Sequence, residues 1–288
     1  MPIICADHRV PRAPAEQCRP YGRGVTANTD AFRRLHRSGD PLLLPNAWDF
    51  ASAAALAGAG HRAIGTTSLG VAAAAGKPDA TAATRAETVT LTRALSRLLS
   101  RLPCLLTVDI EAGFNDEPTA VADLAAELAE AGAVGVNVED GRTDGTLDDP
   151  ERHSAKVAAI KDRVPDLFVN ARTDTFWLAD GDQADTLRRA AAYVAAGADG
   201  VFVPGAADPS TIRTLAAEIA VPLNVLYSPG KHTVAGLAGL GVARVSTGSL
   251  LFRVALGAAV ATIGAVERGE YRADPATPSY ADIQRLLS

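Results

Sequence analysis

Short apolar runs alternate along this chain with longer amphipathic or alanine-rich stretches, and the alternation repeats eight times. The first run is Leu42-Leu43-Leu44-Pro45-Asn46-Ala47, followed by a helix of small residues from Phe50 to Ala59. The second strand, His61 to Ser68, leads into an irregular Ala/Gly stretch and a helix from Thr84 to Leu102. Leu105 to Asp109 is the third, with a helix from Val121 to Ala131, and Ala133 to Glu139 the fourth, with a helix from Glu151 to Arg163. Leu167 to Arg172 precedes a helix from Gln183 to Ala196, and Gly200 to Pro204 precedes one from Pro209 to Ile219. Pro222 to Leu226 is followed by His232 to Leu240, and Val242 to Thr247 by a long helix from Ser249 to Arg268.

Such strands, short, apolar and often β-branched, are the pattern of buried parallel strands. Many of the helices run into a glycine (Gly60, Gly132, Gly197, Gly241, Gly269), the residue that most easily turns left-handed past a helix end. Strand–helix alternation implies parallel βαβ units. Eight of them predict an α/β protein of the (β/α)8 TIM barrel type. A doubly wound open sheet is the alternative. The barrel is expected over residues 29–270. Residues 1–28 mix Pro, Arg, Gly and Cys without periodicity and read as a flexible arm. Thr29 or Asp30 is expected to cap a short helix, Ala31 to His36. The tail, 271–288, carries one short amphipathic piece, Tyr280 to Leu287.

Composition narrows the function. The chain has 288 residues, 48% hydrophobic, and a net charge of -5, so it lacks the basic footprint of a nucleic-acid binder. Its three cysteines, Cys5, Cys18 and Cys104, form neither a zinc spacing nor a disulfide framework, which fits a reducing cytoplasm. The N-terminus lacks the apolar core of a signal peptide, and no run of about 18 apolar residues is expected to span a membrane.

In a TIM barrel the chemistry lies at the C-terminal ends of the strands. Asp109 and Glu111 stand two apart there, so they share a strand face. Paired acids are costly unless neutralised, and a hard divalent cation would neutralise them. The plainer reading is a strand end entering a solvated loop. Other polar strand ends are Asn46, Trp48 and Asp49; Thr66, Thr67 and Ser68; Asn137, Glu139 and Asp140; Asn170, Arg172 and Asp174; Asn224 and Tyr227; Arg244, Ser246 and Thr247. Acids from the third and fourth strands facing an arginine from the fifth suit Mg²⁺ plus an anionic substrate.

Five segments carry a resemblance: Leu44-Pro45-Asn46-Ala47-Trp48-Asp49; Gly65-Thr66-Thr67-Ser68-Leu69 leading to Gly76-Lys77-Pro78-Asp79; Val108-Asp109-Ile110-Glu111-Ala112-Gly113-Phe114; Gly135-Val136-Asn137-Val138-Glu139-Asp140; and Asn170-Ala171-Arg172-Thr173-Asp174. With Ala196-Gly197-Ala198-Asp199-Gly200-Val201-Phe202 they make the chain resemble the isocitrate lyase / phosphoenolpyruvate mutase superfamily from about Phe32 to Gly269. The resemblance implies Mg²⁺, with Mn²⁺ as the alternative, and chemistry at a 2-oxo acid or its enolate. It makes Asp109 the direct metal ligand, with Glu111, Glu139 and Asp79 in the metal's water shell. It assigns Thr67, Ser68 and Leu69 to an oxyanion-binding turn and Arg172 to a substrate carboxylate. Asn170, Asn224, Arg253 and Trp48 complete the expected substrate contacts. Asp79, Asp109, Glu139 and Arg172 are the expected catalytic groups. Relatives form tetramers with the last helix exchanged, which implies a homo-oligomer, dimer or tetramer, through Ser249–Arg268.

Departures from the family matter equally. The lyases' Lys-Arg-Cys-Gly-His loop is replaced by a segment, Gly141 to Pro150, with no cysteine or lysine. The phosphonate branch's lysine and asparagine are missing from the same loop. Gly65 replaces a tyrosine or tryptophan, and Pro204 a Glu or His. The pocket is expected to be larger and less polar there, with Trp48 filling part of it. The segment from Gly141 to Pro150 is expected to be a lid or a plain loop. His153, Tyr227 and His232 are candidate proton carriers, each also readable as an ordinary surface or capping residue. Together these observations predict a Mg²⁺-dependent C–C lyase or decarboxylase of a small 2-oxo or 2-hydroxy (di)carboxylate. The alternatives are P–C chemistry on a phosphonopyruvate-like substrate, C–O or C–N cleavage, or a barrel without catalysis.

Overall fold

A computed structural model describes residues 25–178 and 181–287. Its strands are β1 (Leu42–Leu44), β2 (Asn46–Ala47), β3 (Ala63–Thr66), β4 (Leu105–Asp109), β5 (Gly135–Glu139), β6 (Phe168–Arg172), β7 (Gly200–Val203), β8 (Leu223–Leu226) and β9 (Arg244–Ser246). All pair in parallel, in the order β1-β9-β8-β7-β6-β5-β4-β3-β2. β1 and β2 are one barrel strand divided at Pro45, which has no N–H to give to a ladder. Because β1 pairs with β9 and β2 with β3, this divided strand closes the barrel. The predicted eight-strand barrel is therefore observed.

The helices are α1 (Val25–Arg33), α2 (Phe50–Gly58), α3 (Ser68–Ala74), α4 (Arg85–Leu99), α5 (Pro118–Glu130), α6 (Pro150–Arg163), α7 (Thr175–Leu178), α8 (Gln183–Ala195), α9 (Pro209–Glu218), α10 (Val234–Gly239), α11 (Leu250–Glu267) and α12 (Tyr280–Leu287). Their starts obey local chemistry. Asp49, Asp149, Asp182 and Asp208 each accept a backbone N–H of the first turn, and Pro118, Pro150 and Pro209 occupy first-turn positions that have no N–H partner to lose. The five glycines named above all have positive φ.

The N-terminal end departs from expectation. Up to residue 24 the arm lies outside the described residues, but 25–28 form the first turn of α1. Thr29 is fully buried inside this helix rather than capping it. The reason is packing: α1 plugs the lower mouth of the barrel. Phe32 meets the Phe168 ring edge-on at 5.2 Å, and His36 stacks on the same ring at 4.5 Å. α12 forms as expected and its Leu286 packs against α2 at Gly58. α3 fills the stretch where irregular chain was expected, and α7 is an additional turn of helix between β6 and α8.

α11 also corrects a reading. It has the length and composition of a membrane span, with a mean hydropathy of 1.7, and only 6% of it is buried. The helix is apolar on average, with Arg253 and Glu267 as its charged residues, and it is almost wholly exposed.

Candidate active site

The site is built at the C-terminal mouth of the strands. β4 ends at Asp109, whose N–H donates to Thr66 Oγ1 at 2.9 Å. Its Oδ2 accepts the Ser68 N–H at 3.3 Å, and its Oδ1 accepts that of Glu111 at 3.4 Å. Asp79 arrives from the loop after α3, which Lys77 ties to α4 through Glu87 at 2.5 Å. Asp79 Oδ1 is buried with no hydrogen-bond partner among the described residues. Burial, then the charge of Asp109, pushes the Asp79 carboxyl above its ordinary value.

Glu111 has a left-handed backbone, φ 49°, which turns its side chain away from the strand face it would otherwise share with Asp109. Its carboxylate accepts the Ala82 N–H at 3.0 Å and the Thr84 hydroxyl at 2.9 Å. Burial raises its pKa, against these two bonds and with the charges of Asp109 and Asp79. Glu111 therefore grips the loop that carries Asp79.

Arg172, at the end of β6, faces two acids. Its Nε and one terminal nitrogen donate to Asp174 at 2.6 and 2.9 Å, and the other terminal nitrogen lies 2.5 Å from Glu139. Burial opposes its charge, but Glu139 and Asp174 hold the guanidinium protonated, above its ordinary value. Burial pushes Glu139 up to about 8, Arg172 pulling the other way. Two of the five guanidinium N–H groups make hydrogen bonds, both to Asp174, while Glu139 is held as an ion pair whose Oε2 accepts no hydrogen bond, so donors remain for a ligand. Asp174 is fixed in turn, its N–H donating to Asp140 Oδ1 at 2.8 Å. Asp140 Oδ2 accepts from Arg189 and Tyr193 at 3.1 and 2.6 Å, a support from α8 that strand-end reading did not anticipate.

These groups open on a cavity of about 350 Å³. Of the expected residues, Asp79, Asp109, Arg172, Thr67, Ser68, Leu69 and Arg253 line it. Glu111 and Glu139 line a smaller cavity of about 250 Å³ instead, with Arg142, Asp148 and Lys156. Trp48, Asn170 and Asn224 line neither. Trp48 packs edge-on to Phe252 at 5.4 Å, on the outer side. Asn170 is buried and donates to Asn137 Oδ1 at 2.9 Å, and buried Asn224 accepts the Ser246 hydroxyl at 3.1 Å. These two hold up the lining residues Asn137 and Ser246 from beneath. Arg244, fully buried below them, donates to both, at 3.3 and 3.0 Å. Burial lowers its pKa to about 9, with the Asp109 charge opposing.

The space at Gly65 is not empty. Asn46 fills it, and a Cβ on Gly65 would fall 2.7 Å from Asn46 Nδ2. Pro204 does line the cavity, beside Phe202, Leu226, Tyr227 and Trp177. Trp177 and Leu226 were not anticipated; an aromatic five residues beyond Arg172 was the available signal. Gly141 to Leu147 forms a closed hairpin rather than an open loop, bridged at Gly141–Leu147 and tied by Arg142 to Asp148. Of the proton-carrier candidates only Tyr227 reaches the cavity. His153 is fully buried on α6 against Tyr193, and His232 lies off the site.

Among the described residues no three His, Cys, Asp or Glu side chains converge as direct metal ligands. The donors at the mouth are all carboxylates, one of them with a buried oxygen lacking a partner. That fits a hard, water-retaining cation held by few carboxylates, the habit of Mg²⁺, and not a softer metal.

The chain has relatives among known proteins. Residues 32–267 match the phosphoenolpyruvate phosphomutase family, and the chain belongs to it, within the superfamily shared with isocitrate lyase. An uncharacterized protein of Mycobacterium tuberculosis is 47% identical over 89% of this chain and 96% of its own. The 2-methylisocitrate lyase of Bacillus subtilis is 35% identical over 67% of this chain and 64% of its own. Among solved structures, a phosphonopyruvate hydrolase in complex with oxalate and Mg²⁺ is 26% identical. It has a TM-score of 0.78 and covers 90% of this chain and 94% of its own.

Proposed function

We propose that this protein is a Mg²⁺-dependent carbon–carbon lyase or decarboxylase acting on a small 2-oxo or 2-hydroxy (di)carboxylate. The observation that carries this reading is the meeting of Asp109, Asp79 and Arg172 on one cavity wall, with Asp79 Oδ1 buried and unpartnered. Asp109 would hold the ion, with Asp79 and Glu139 completing its shell through water, while Glu111 would act by holding the loop that carries Asp79. The metal, when bound, supplies positive charge beside the substrate oxygen on which charge develops. The N–H groups of Arg172 that Asp174 does not take would hold a substrate carboxylate. In the Thr67–Leu69 turn the Thr67 N–H goes to the Ala47 carbonyl and the Ser68 N–H to Asp109, which leaves the Leu69 N–H and the Ser68 hydroxyl to face the same end of the cavity. Tyr227 is the wall residue suited to carry a proton to or from the carbon left by the departing group.

The similarity to a lyase and to a phosphonopyruvate hydrolase supports the chemistry class. P–C cleavage is the second reading, and the few cations around the cavity favour carboxylates over a phosphoryl dianion. Turnover of a panel of 2-oxo and 2-hydroxy diacids plus phosphonopyruvate, with Mg²⁺ and with chelator, tests both. Release of CO₂ or a 2-oxo acid only with metal supports the first reading; release of phosphate supports the second. We assign the enzyme to the cytoplasm, in keeping with Cys104, a free buried thiol that burial pushes up to about 12. We also assign it a homo-oligomeric state in which a second copy covers the apolar face of α11, as exchange of this helix between subunits would do.

A further inference from the structure

The larger cavity has two unlike walls. One carries the acids, Arg172 and the Thr67–Leu69 turn. The other is apolar and comes from three successive strand ends: Phe202 in β7 and Pro204 just after it, Leu226 and Tyr227 around the end of β8, and Trp177 on α7, which follows β6. Phe202 and Pro204 are buried, while Trp177 is 57% exposed at the rim. This wall is assembled rather than incidental. Gly205, at φ 84°, lets the chain after Pro204 press against α7, where a Cβ would stand 2.4 Å from the Phe176 carbonyl oxygen. That contact sets Trp177 over the cavity. The Phe202 ring lies 5.7 Å from the Arg172 guanidinium carbon, so the apolar wall begins beside the carboxylate-binding group.

The cations around this space are two. Arg172 is at the closed end, between Glu139 and Asp174. Arg253 stands at the rim on α11, with no acid partner among the described residues. No cation comes from the wall of Phe202, Pro204, Leu226, Tyr227 and Trp177. A third carboxylate or a phosphoryl dianion placed there would lose its hydration without compensation. An apolar group placed there would instead leave water, which is favourable in proportion to the area buried.

We infer that the substrate is a 2-oxo or 2-hydroxy acid carrying a branched aliphatic or aromatic substituent next to its reacting carbon, seated on the wall formed by Phe202, Pro204, Leu226, Tyr227 and Trp177. This rests on the proposed lyase reading for the chemistry at the other end. The carboxylate beside the reacting carbon meets Arg172, and a second carboxylate, in a diacid, faces Arg253. The wall selects the substituent. An added methylene in such a pocket is worth roughly ten-fold or more in specificity.

The test has a kinetic arm and a binding arm. In the first, malates bearing hydrogen, methyl, isopropyl or phenyl at C3 are turned over with Mg²⁺. The expected result is a kcat/KM at least ten-fold higher for the isopropyl or phenyl compound than for malate. Leu226→Asn and Trp177→Ala should each reduce that ratio several-fold. A preference for unsubstituted malate, or a ratio unmoved by both variants, overturns the inference. In the second arm, calorimetry with Mg²⁺ compares pyruvate, 4-methyl-2-oxopentanoate and phenylpyruvate. Binding of either larger acid at least ten-fold tighter than pyruvate supports the inference even if no malate is cleaved, in which case the lyase reading alone fails. Equal or weaker binding of both overturns it.

Discussion

The side chain of Asn46 occupies the place that any side chain on Gly65 would take. It also binds both neighbours of its own strand. Its Nδ2 donates to the Thr66 carbonyl at 2.7 Å, and its Oδ1 accepts the N–H groups of Thr247 and Gly248 at 3.0 and 2.9 Å. The seam that Pro45 interrupts is thus fastened by a side-chain amide. Asn46→Ala should destabilise the barrel by about 2 kcal/mol, since the Gly248 N–H and the Thr66 carbonyl lose this partner while the Thr247 N–H keeps the Leu44 carbonyl. Gly65→Ala should cost about 1–3 kcal/mol through overpacking. Urea unfolding of both variants checks this; midpoints equal to wild type would show that the seam is held elsewhere.

Asp109 and Glu111 are two residues apart and should behave differently. Asp109 faces the cavity, whereas Glu111 grips the loop at Ala82 and Thr84. Asp109→Ala is expected to lower Mg²⁺ affinity by more than about 100-fold, and Glu111→Gln by about 10-fold, the usual range for a residue acting through others. In Glu111→Gln the amide oxygen can still accept the Ala82 N–H and its NH2 can donate to the Thr84 hydroxyl, but two charge-assisted bonds become weaker neutral ones, so hydrogen exchange should quicken across residues 79–84. Calorimetry with Mg²⁺ and exchange measurements separate the two roles. Equal affinity losses without faster exchange would make Glu111 an ordinary ligand.

Two buried histidines set the acid limit of stability. Burial lowers His153 to about 4 and His36 to about 3. Below their unfolded pKa of about 6.5 the unfolded chain takes up protons that the native one refuses, so the folded state loses ground as pH falls. Their contribution is fully present above about pH 6.5 and is lost as pH falls through 4 and then 3. For His153 alone it amounts to about 3 kcal/mol. Neither ring nitrogen of His153 has a hydrogen-bond partner, so His153→Phe removes no bond. This variant should fold and should lose stability less steeply between pH 6.5 and 4. An unchanged slope in chemical unfolding across that range would contradict the assignment.

What was legible in the sequence, and what was not, has a physical pattern. Barrel strands covered on both faces are continuous apolar runs, so β4 to β9 were readable nearly to the residue. The acid–arginine set was readable because strand ends in this fold point to one mouth. Directions beyond a strand break were not. Past Pro45 the two-residue alternation no longer holds, so Asn46 turned out to line the site and Trp48 to pack outside it. Nor does alternation reveal depth, and Asn170 and Asn224 lie one level below the cavity. α1 was misplaced because its role, plugging the barrel floor with Phe32, depends on Phe168, far away in sequence. α3 was missed because Gly70 argues against a helix, although its missing side chain is what admits Trp48 and Thr67, at 2.7 and 2.9 Å from a Cβ there.

The exposed face of α11 gives the last prediction. Leu256, Val260 and Ile263 are 53%, 71% and 56% exposed and follow one another at i, i+4 and i+7, a single stripe on the helix. Val266, three residues past Ile263, extends it. Monomers seldom leave a contiguous apolar patch of this kind in water. With a second copy as its occupant, wild-type protein should elute as a dimer or tetramer in light scattering at micromolar concentration. Val260→Asp with Ile263→Asp would then place two charges in the interface, where each is costly to desolvate. The double variant should dissociate to a monomer while its far-ultraviolet circular dichroism stays native. Arg253, which lines the cavity, is on the same helix. Dissociation that loosens α11 should therefore also raise KM for a diacid more than it lowers kcat. A monomeric wild type would leave the stripe without the assigned partner. Partition of that monomer into neutral lipid vesicles would point to a membrane surface instead.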